Sequence, residues 1–261
     1  MIKIVAVVQA RMNSKRFPGK VLKLIGDKSF IELIVKRLER SSMISKILFA
    51  LPDNDSSKPI INLLNDINID YVLGSENNLI SRYKVAALES EADYIVRITA
   101  DCPFIDPIII DNMAKKMLSL KLDFITNVIP PSWPDGLDVT IFSNRTLSLT
   151  YYGAKLDSEK EHLVPWMWNN SNLKNKNVLK AYNYCSLDDL SKHRWTLDTK
   201  DDYNFFNLIG KKILWNDLVS MNWKDFLSFF DKNHAISLVN NHHIRDEGYK
   251  NSLFKDKNFE I

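Results

Sequence analysis

Arg11, Lys15, Arg16 and Lys20 crowd one short stretch, Gln9-Ala10-Arg11-Met12-Asn13-Ser14-Lys15-Arg16-Phe17-Pro18-Gly19-Lys20, directly after the apolar run Ile2 to Val8. Cations at this density suit a polyanion, because guanidinium and ammonium groups pair with phosphate oxygens and backbone amides beside Gly19 can approach an oxyanion. The better-known phosphate signatures do not apply. A Walker loop needs two glycines flanking four residues, then Lys and Ser or Thr. Here Gly19 stands alone and Val21 follows Lys20. The dinucleotide fingerprint fails for the same lack of glycines. A nucleoside triphosphate held by Arg11, Arg16 and Lys20 is the expected ligand, against the plainer reading of a solvated basic loop.

Carboxylates supply the other half of such chemistry. Asp101 lies in Thr99-Ala100-Asp101-Cys102-Pro103 and Asp198 in Arg194-Trp195-Thr196-Leu197-Asp198-Thr199, each after an apolar run. Mg²⁺ favours one or two carboxylates with phosphate oxygens and water completing its shell, so this pair would suffice. Taken singly, each aspartate also reads as a helix N-cap. The polycationic loop is what favours a metal.

The elements that must position these groups alternate between strand and helix patterns. Ile2 to Val8 is β-branched and nearly uninterrupted, as in a strand buried on both faces. Ile31, Ile34, Val35 and Leu38 recur at helical spacing, and Lys46 to Leu51 reads as a strand. Helix patterns at Pro59 to Ile67 and Leu79 to Leu88 flank a short strand at Tyr71 to Leu73, and Tyr94 to Ile98 is the next buried strand. Successive βα units imply right-handed crossovers and a mainly parallel sheet, an α/β Rossmann-like architecture flanked by helices, with ligands at the strands' carboxyl ends. Beyond residue 123 the rhythm changes. Asp123 to Asn127 and Leu137 to Phe142 read as strands around a stiff loop with Pro130, Pro131 and Pro134, which predicts a mixed sheet. Asp201 to Ile209 is helix-like. No repeat or linker divides the chain, so the expectation is one domain over residues 1–232 and a polar tail over 233–261, packing on the domain or a partner subunit or fraying at the surface.

Composition bounds the rest. The 261 residues are 45% hydrophobic, ample for a core, and a net charge of +3 is nearly balanced. That balance gives no concentrated basic face for nucleic acid. Cys102 and Cys185 lie far apart without metal-ligand spacing, no run approaches the ~20 apolar residues of a membrane span, and no signal-peptide layout precedes the first strand. A soluble cytoplasmic protein is expected.

The loop from Gln9 to Lys20 resembles the N-terminal signature of the cytidylyltransferases that activate acidic sugars, including the 3-deoxy-manno-octulosonate and acylneuraminate enzymes. The resemblance is closer to the spore coat polysaccharide biosynthesis F-type branch. Gln9 stands where the sugar-acid enzymes usually have Pro, and further matches follow in order. They are Gly74-Ser75-Glu76-Asn77-Asn78-Leu79-Ile80-Ser81-Arg82-Tyr83, Pro134-Asp135-Gly136-Leu137-Asp138-Val139, Glu161-His162-Leu163-Val164-Pro165 and His243-Ile244-Arg245-Asp246-Glu247-Gly248-Tyr249.

This resemblance implies a nucleotidyltransferase that moves CMP from CTP to a sugar or sugar-like acceptor, with a homodimer as the usual assembly. Arg11, Lys20 and Asp101 would be catalytic. Gln9, Ala10, Arg11, Ser14, Arg16, Gly19, Lys20 and Thr99 would hold the nucleotide, and Asp101 with Asp198 would hold Mg²⁺. One departure is Thr99, where the sugar-acid enzymes commonly carry Gln two residues before the metal aspartate; a hydroxyl cannot span the distances of an amide, so recognition there must differ.

For the acceptor the candidates are Asp135, Asp138, Glu161 and His162, with a plain turn at Asp135-Gly136 and a satisfied core histidine as the alternatives. Trp133, Trp166 and Trp168 read either as sugar platforms or as core and interface aromatics. Two other functions remain open on sequence. A glycosyltransferase of related fold would use Asp53-Asn54-Asp55 as its metal motif, where a solvated turn is the simpler reading, and a non-catalytic nucleotide-binding protein would need neither Asp101 nor Asp198.

Overall fold

The protein is described by a computed structural model covering residues 2–259, so the last two residues of the expected tail lie outside the described part. Its strands are β1 (Ile4–Gln9), β2 (Leu24–Ile25), β3 (Lys28–Ser29), β4 (Lys46–Pro52), β5 (Asp70–Gly74), β6 (Tyr94–Thr99), β7 (Phe124–Thr126), β8 (Thr140–Ser143) and β9 (Ala181–Asn183). β2 and β3 form a separate small hairpin, and the others build one sheet in the order β5-β4-β1-β6-β8-β7-β9. β4, β1, β5 and β6 run parallel; β8 is antiparallel to both its neighbours, and β9 pairs parallel with β7. The mixed, mainly parallel sheet expected from the changing rhythm is therefore present.

Side chains alternate faces along a strand, and β1 shows the consequence. Ile4, Ala6 and Val8 join the larger core, whereas Val5 and Val7 join a second core on the opposite face. Both faces are covered, which is why the run looks uniformly apolar. The covering helices of the first half are α1 (Phe30–Leu38), α2 (Lys58–Asp66), α3 (Leu79–Ser90) and α4 (Pro107–Leu120). Their starts follow capping chemistry. Ser29 and Glu32 form a capping box on α1, Asn78 accepts from Ser81 N on α3, and Asp106 accepts from the Ile108 and Ile109 amides on α4.

One expected strand is shorter than its sequence pattern. Leu137 and Val139 are buried but precede β8, because the side chain of Asn127 satisfies their backbone. Its Nδ2 donates to Leu137 O at 2.7 Å and its Oδ1 accepts from Val139 N at 2.8 Å. A side chain here replaces ladder hydrogen bonds, leaving an apolar stretch that looks like strand and is not.

The second half adds α5 (Asn144–Gly153), α6 (Asp157–His162), α7 (Val164–Asn169), α8 (Lys200–Gly210), α9 (Trp215–Ser220), α10 (Trp223–Lys232), α11 (His234–Ser237) and α12 (Glu247–Phe259). The segment after Asn233 returns onto its own chain. Asn240 is fully buried and donates to Arg194 O and Asp202 Oδ1, while α12 lies against α6. Trp133 is a core residue whose Nε1 donates to Tyr184 O at 2.8 Å, and Trp166 packs over Gly153. Cys102 and Cys185 are both free thiols. Among the described residues no helix is long and apolar enough to cross a membrane.

Candidate active site

β1 lies between β4 on one side and β6 on the other. The chain steps outward from β1 to β4 and β5 on one side and then crosses back from β5 to β6 on the other, and the crevice at such a switch point is where open α/β sheets take ligands. A cavity of about 630 Å³ opens there, with Gln9 at the end of β1 and Thr99 at the end of β6 on its wall. Its size suits a small-molecule substrate.

The floor is built by the basic loop and two aspartates. Gly19 takes φ 70°, a left-handed backbone that glycine adopts without strain, and its amide donates to Met12 O at 2.9 Å. This turn delivers Lys20 into a buried position, where Nζ donates to Asp101 Oδ2 at 2.8 Å and to Asp198 Oδ1 at 2.5 Å. Arg16 covers the remaining Asp198 oxygen at 2.8 Å and reaches Glu247 of α12 at 3.0 Å. Neither aspartate caps a helix, since Asp106 caps α4 and Thr199 caps α8. Leu197 N and Thr196 Oγ1 both donate to Asp101 O, which ties the two carboxylate-bearing turns together.

Electrostatics follow this geometry. Burial pulls the Lys20 ammonium down, but Asp101 and Asp198 outweigh it and hold it above its ordinary value. Burial pushes Asp101 up, yet the Lys20 charge and hydrogen bond win and keep its carboxyl well below the usual carboxylate range. Two carboxylates thus converge on one cation. That convergence fits a divalent ion, because Asp101 keeps Oδ1 clear of Lys20 and Asp198 can exchange its Lys20 or Arg16 contact for the ion.

The Asp198 turn has its own support. Asp202 accepts from the Asp198 and Thr199 amides and takes two bonds from Arg194, each at 2.8 Å, and Arg194 donates again to Asp135 at 3.0 Å. Gly136 is obligatory beside this network: its φ is 110° and a Cβ would sit 2.4 Å from Trp195 O. Asp138 pairs with Arg245 of the tail, which also donates to Trp133 O. Burial, with the Asp138 charge, pushes Asp135 up despite Arg245 and Arg194.

Gln9, Ala10, Arg11, Ser14, Arg16, Lys20, Thr99, Asp101, Asp135, Asp138, Glu161, His162 and Asp198 all line this cavity. Gly19 does not; its part is to shape the turn. Asp135 and Asp138 are engaged by Arg194 and Arg245, while Glu161 and His162 face α12, both within hydrogen-bond reach of Ser252 Oγ at 2.9 Å. Burial, with Arg97 and Arg11, brings His162 down to about 4 against the pull of Glu161, so its ring is neutral near pH 7. Trp168 also lines the cavity. Asp53 and Asp55 lie off the cavity wall; Asn54 caps a short turn and Asp55 pairs with Lys58 at 2.9 Å, the solvated-turn reading.

The sequence places Arg82, Arg245 and Tyr249 in motifs of the family resemblance without a role at the site, and it marks neither Arg97 nor Ser252. Arg82 is 5% exposed, and its Nε and Nη1, like Arg97 Nε, have no hydrogen-bond partner among the described residues. Both arginines line the cavity. A signal existed: Arg82 falls on the buried face of α3 with Leu79, Ile80, Tyr83, Ala86 and Ala87, where an unpaired charge needs a reason. Arg245 and Tyr249 carry only their place in the tail motif, and Ser252 carries no mark.

Sheet order, switch-point cavity and the cation-bridged carboxylates define the class, a nucleotidyltransferase on a Rossmann-like sheet. Residues 5–165 match the cytidylyltransferase family, and the chain belongs to it. A solved cytidylyltransferase from Leptospira borgpetersenii is 29% identical with a TM-score of 0.84, covering 91% of this chain and 97% of its own. An uncharacterized protein of Methanocaldococcus jannaschii is 28% identical over 251 residues, 95% of this chain and 98% of the relative. The spore coat polysaccharide biosynthesis protein SpsF of Bacillus subtilis is 26% identical over 213 residues, 80% of this chain and 87% of the relative.

Proposed function

We propose that this enzyme transfers CMP from CTP to a sugar or sugar-like acceptor, releasing pyrophosphate, in the synthesis of a surface polysaccharide or glycoconjugate. The observation that carries the reading is Lys20 held between Asp101 and Asp198 on the cavity floor, beside Arg16 and Arg11. Likeness to SpsF supports the polysaccharide setting.

In this reading an acceptor oxygen attacks the α-phosphorus of CTP and the bond to pyrophosphate breaks in line. Lys20, Arg16 and Arg11 screen the triphosphate, so that charge building on the leaving group meets cations already in place. Asp101 and Asp198 would hold a divalent ion, Mg²⁺ in our assignment, which supplies Lewis-acid polarisation of the phosphate when bound. The Arg194–Asp202 pair keeps the Asp198 turn fixed, and much of the rate comes from such positioning. Arg82 and Arg97, with donors left over, present cationic donors to nucleotide or acceptor. Glu161, His162, Trp168 and the tail enclose the acceptor side.

The test is pyrophosphate release from each nucleoside triphosphate with Mg²⁺ and a panel of acceptors. Release with CTP, abolished in Asp101→Asn, is expected. A well-folded enzyme that turns over no nucleotide with any acceptor would sink the proposal. So would metal binding lost in Asp53→Ala and kept in Asp101→Ala, which favours a glycosyltransferase.

A further inference from the structure

Outside the cavity floor, Asp201, His242 and His243 bring their ligand atoms within 4.8 Å of one another. Asp201 lies in the first turn of α8, and the histidines come from the segment that leads into α12. Nε2 of His242 and Nε2 of His243 both point at the same atom, Asp201 Oδ2, at 3.3 and 3.1 Å. The two rings lie 4.2 Å apart, so consecutive residues have turned their side chains to one point. A tetrahedral zinc shell with ligands at ~2.0–2.1 Å has edges of roughly 3.4 Å, close to both separations. Thr199 Oγ1 stands 3.3 Å from His243 Nε2 and offers a further oxygen at the same spot.

We infer that Asp201, His242 and His243 form a second cation site, distinct from the carboxylate pair of the floor, that takes a borderline divalent ion of the zinc type. Imidazole nitrogens select such ions, whereas Mg²⁺ prefers oxygen ligands. A vacant fourth position goes to water, or to Thr199. The site joins two parts of the chain that both reach the cavity. Asp201 follows the turn carrying Asp198, and His243 precedes Arg245 and Glu247, which pair with Asp138 and Arg16. An ion here staples the tail to the body at the point where the tail begins to wall the acceptor side.

Metal-stripped full-length protein titrated with Zn²⁺ by calorimetry, in excess Mg²⁺, tests the site. Co²⁺ serves as a spectroscopic probe. One equivalent of Zn²⁺ should bind, and Co²⁺ should give the intense visible bands of a four-coordinate N/O site. His242→Gln and His243→Gln should each weaken binding by more than the ~10–100-fold that loss of an outer-shell partner costs. Asp101→Asn should leave it unchanged. His242 is largely exposed, so its variant tests the site without threatening the fold, and metal-free melting curves check that. Absence of Zn²⁺ uptake overturns the inference, as does uptake that neither histidine variant weakens or that disappears in Asp101→Asn. For the staple itself, Zn²⁺ should slow proteolysis within the tail of the wild type and not of the double variant; equal cleavage rates with and without Zn²⁺ overturn it.

Discussion

The floor of the cavity and its tail-built wall hold their charges by different means. On the floor, the side chains of Lys20, Asp198 and Asp101 are 8%, 18% and 27% exposed and meet at 2.5 and 2.8 Å. Where the basic loop of the floor meets α6 of the wall, Arg11 and Glu161 are 45% and 44% exposed and approach only to 3.8 Å. The floor hangs on strand ends and on backbone bonds between distant turns, while the wall depends on a helix laid over the finished domain. Buried, preorganised charge suits a step common to all cytidylyl transfer. Half-exposed, adjustable contacts suit a choice of acceptor.

The sharpest way to break this contrast is Lys20→Ala. Without its ammonium, Asp101 and Asp198 repel across the floor. Removing one partner of a fully buried ion pair costs ~3–5 kcal/mol. Partial exposure of the aspartates lowers the expectation to about 2–3 kcal/mol by denaturant unfolding. Turnover should fall ~10²–10³-fold, the scale of one lost charge-stabilising donor. Added Mg²⁺ should recover much of the stability and little of the rate, because an ion can replace the charge but not the ammonium's place against the phosphates. Unchanged stability in metal-free buffer would mean that the floor is not held by its charges.

Arg245→Met moves the same test to the junction of floor and wall. Arg245 is the tail's partner for Asp138, and burial raises the Asp138 carboxyl even with that partner present. Losing it leaves a buried carboxylate that escapes by protonation, so the cost should be about 1–3 kcal/mol, an unsatisfied-group penalty. Steady-state kinetics should show the Michaelis constant rising for the acceptor and holding for CTP. Equal rises for both would erase the distinction between the two regions.

The same division separates what could be read from the chain from what could not. Lys20, Asp101 and Asp198 stand beside local marks: an apolar strand, a glycine turn, an aspartate at a strand end. Period-two and period-3.6 patterns sufficed to place β1, β4 to β8 and the helices α1, α2, α3 and α8, but not the β2–β3 hairpin, β9, or α4 to α7 and α9 to α11. Contacts that join remote segments leave no such mark. Arg194 reaching Asp202 and Asp135, Asn127 standing in for a strand partner, and Ser252 meeting Glu161 and His162 depend on tertiary approach. Asp135 and Asp138 were legible as acidic residues of the site, and both line the cavity, but their pairing with arginines was not legible.

Ser252→Ala probes the wall by itself. Ser252 Oγ stands between His162 Nε2 and Glu161 Oε2, joining α12 to α6 through one hydroxyl. A hydrogen bond to a charged group is worth ~1.5–3 kcal/mol when buried and less beside a carboxylate as exposed as Glu161, so the acceptor's Michaelis constant should rise a few-fold while kcat and CTP binding hold. A loss in kcat of the size expected for Lys20→Ala would place chemistry on the wall.

The smallest effect is a pH dependence centred on His162. Burial, with Arg97 and Arg11, lowers its pKa from 6.5 to about 4 in the folded protein. Between those values the unfolded chain binds a proton that the folded chain refuses, so stability rises with pH across that window. The contribution is complete above pH 6.5 and declines as pH falls toward 4. His162→Gln removes the titration, so the melting temperature of the wild type should drop relative to the variant over this interval. Taking the difference cancels the carboxylates that titrate in both proteins. Glu161 opposes the shift, so introducing His162→Gln into a Glu161→Gln background should open a wider gap than it does in the wild type. A flat difference would mean that the ring is solvated and that the tail does not close the acceptor side in solution.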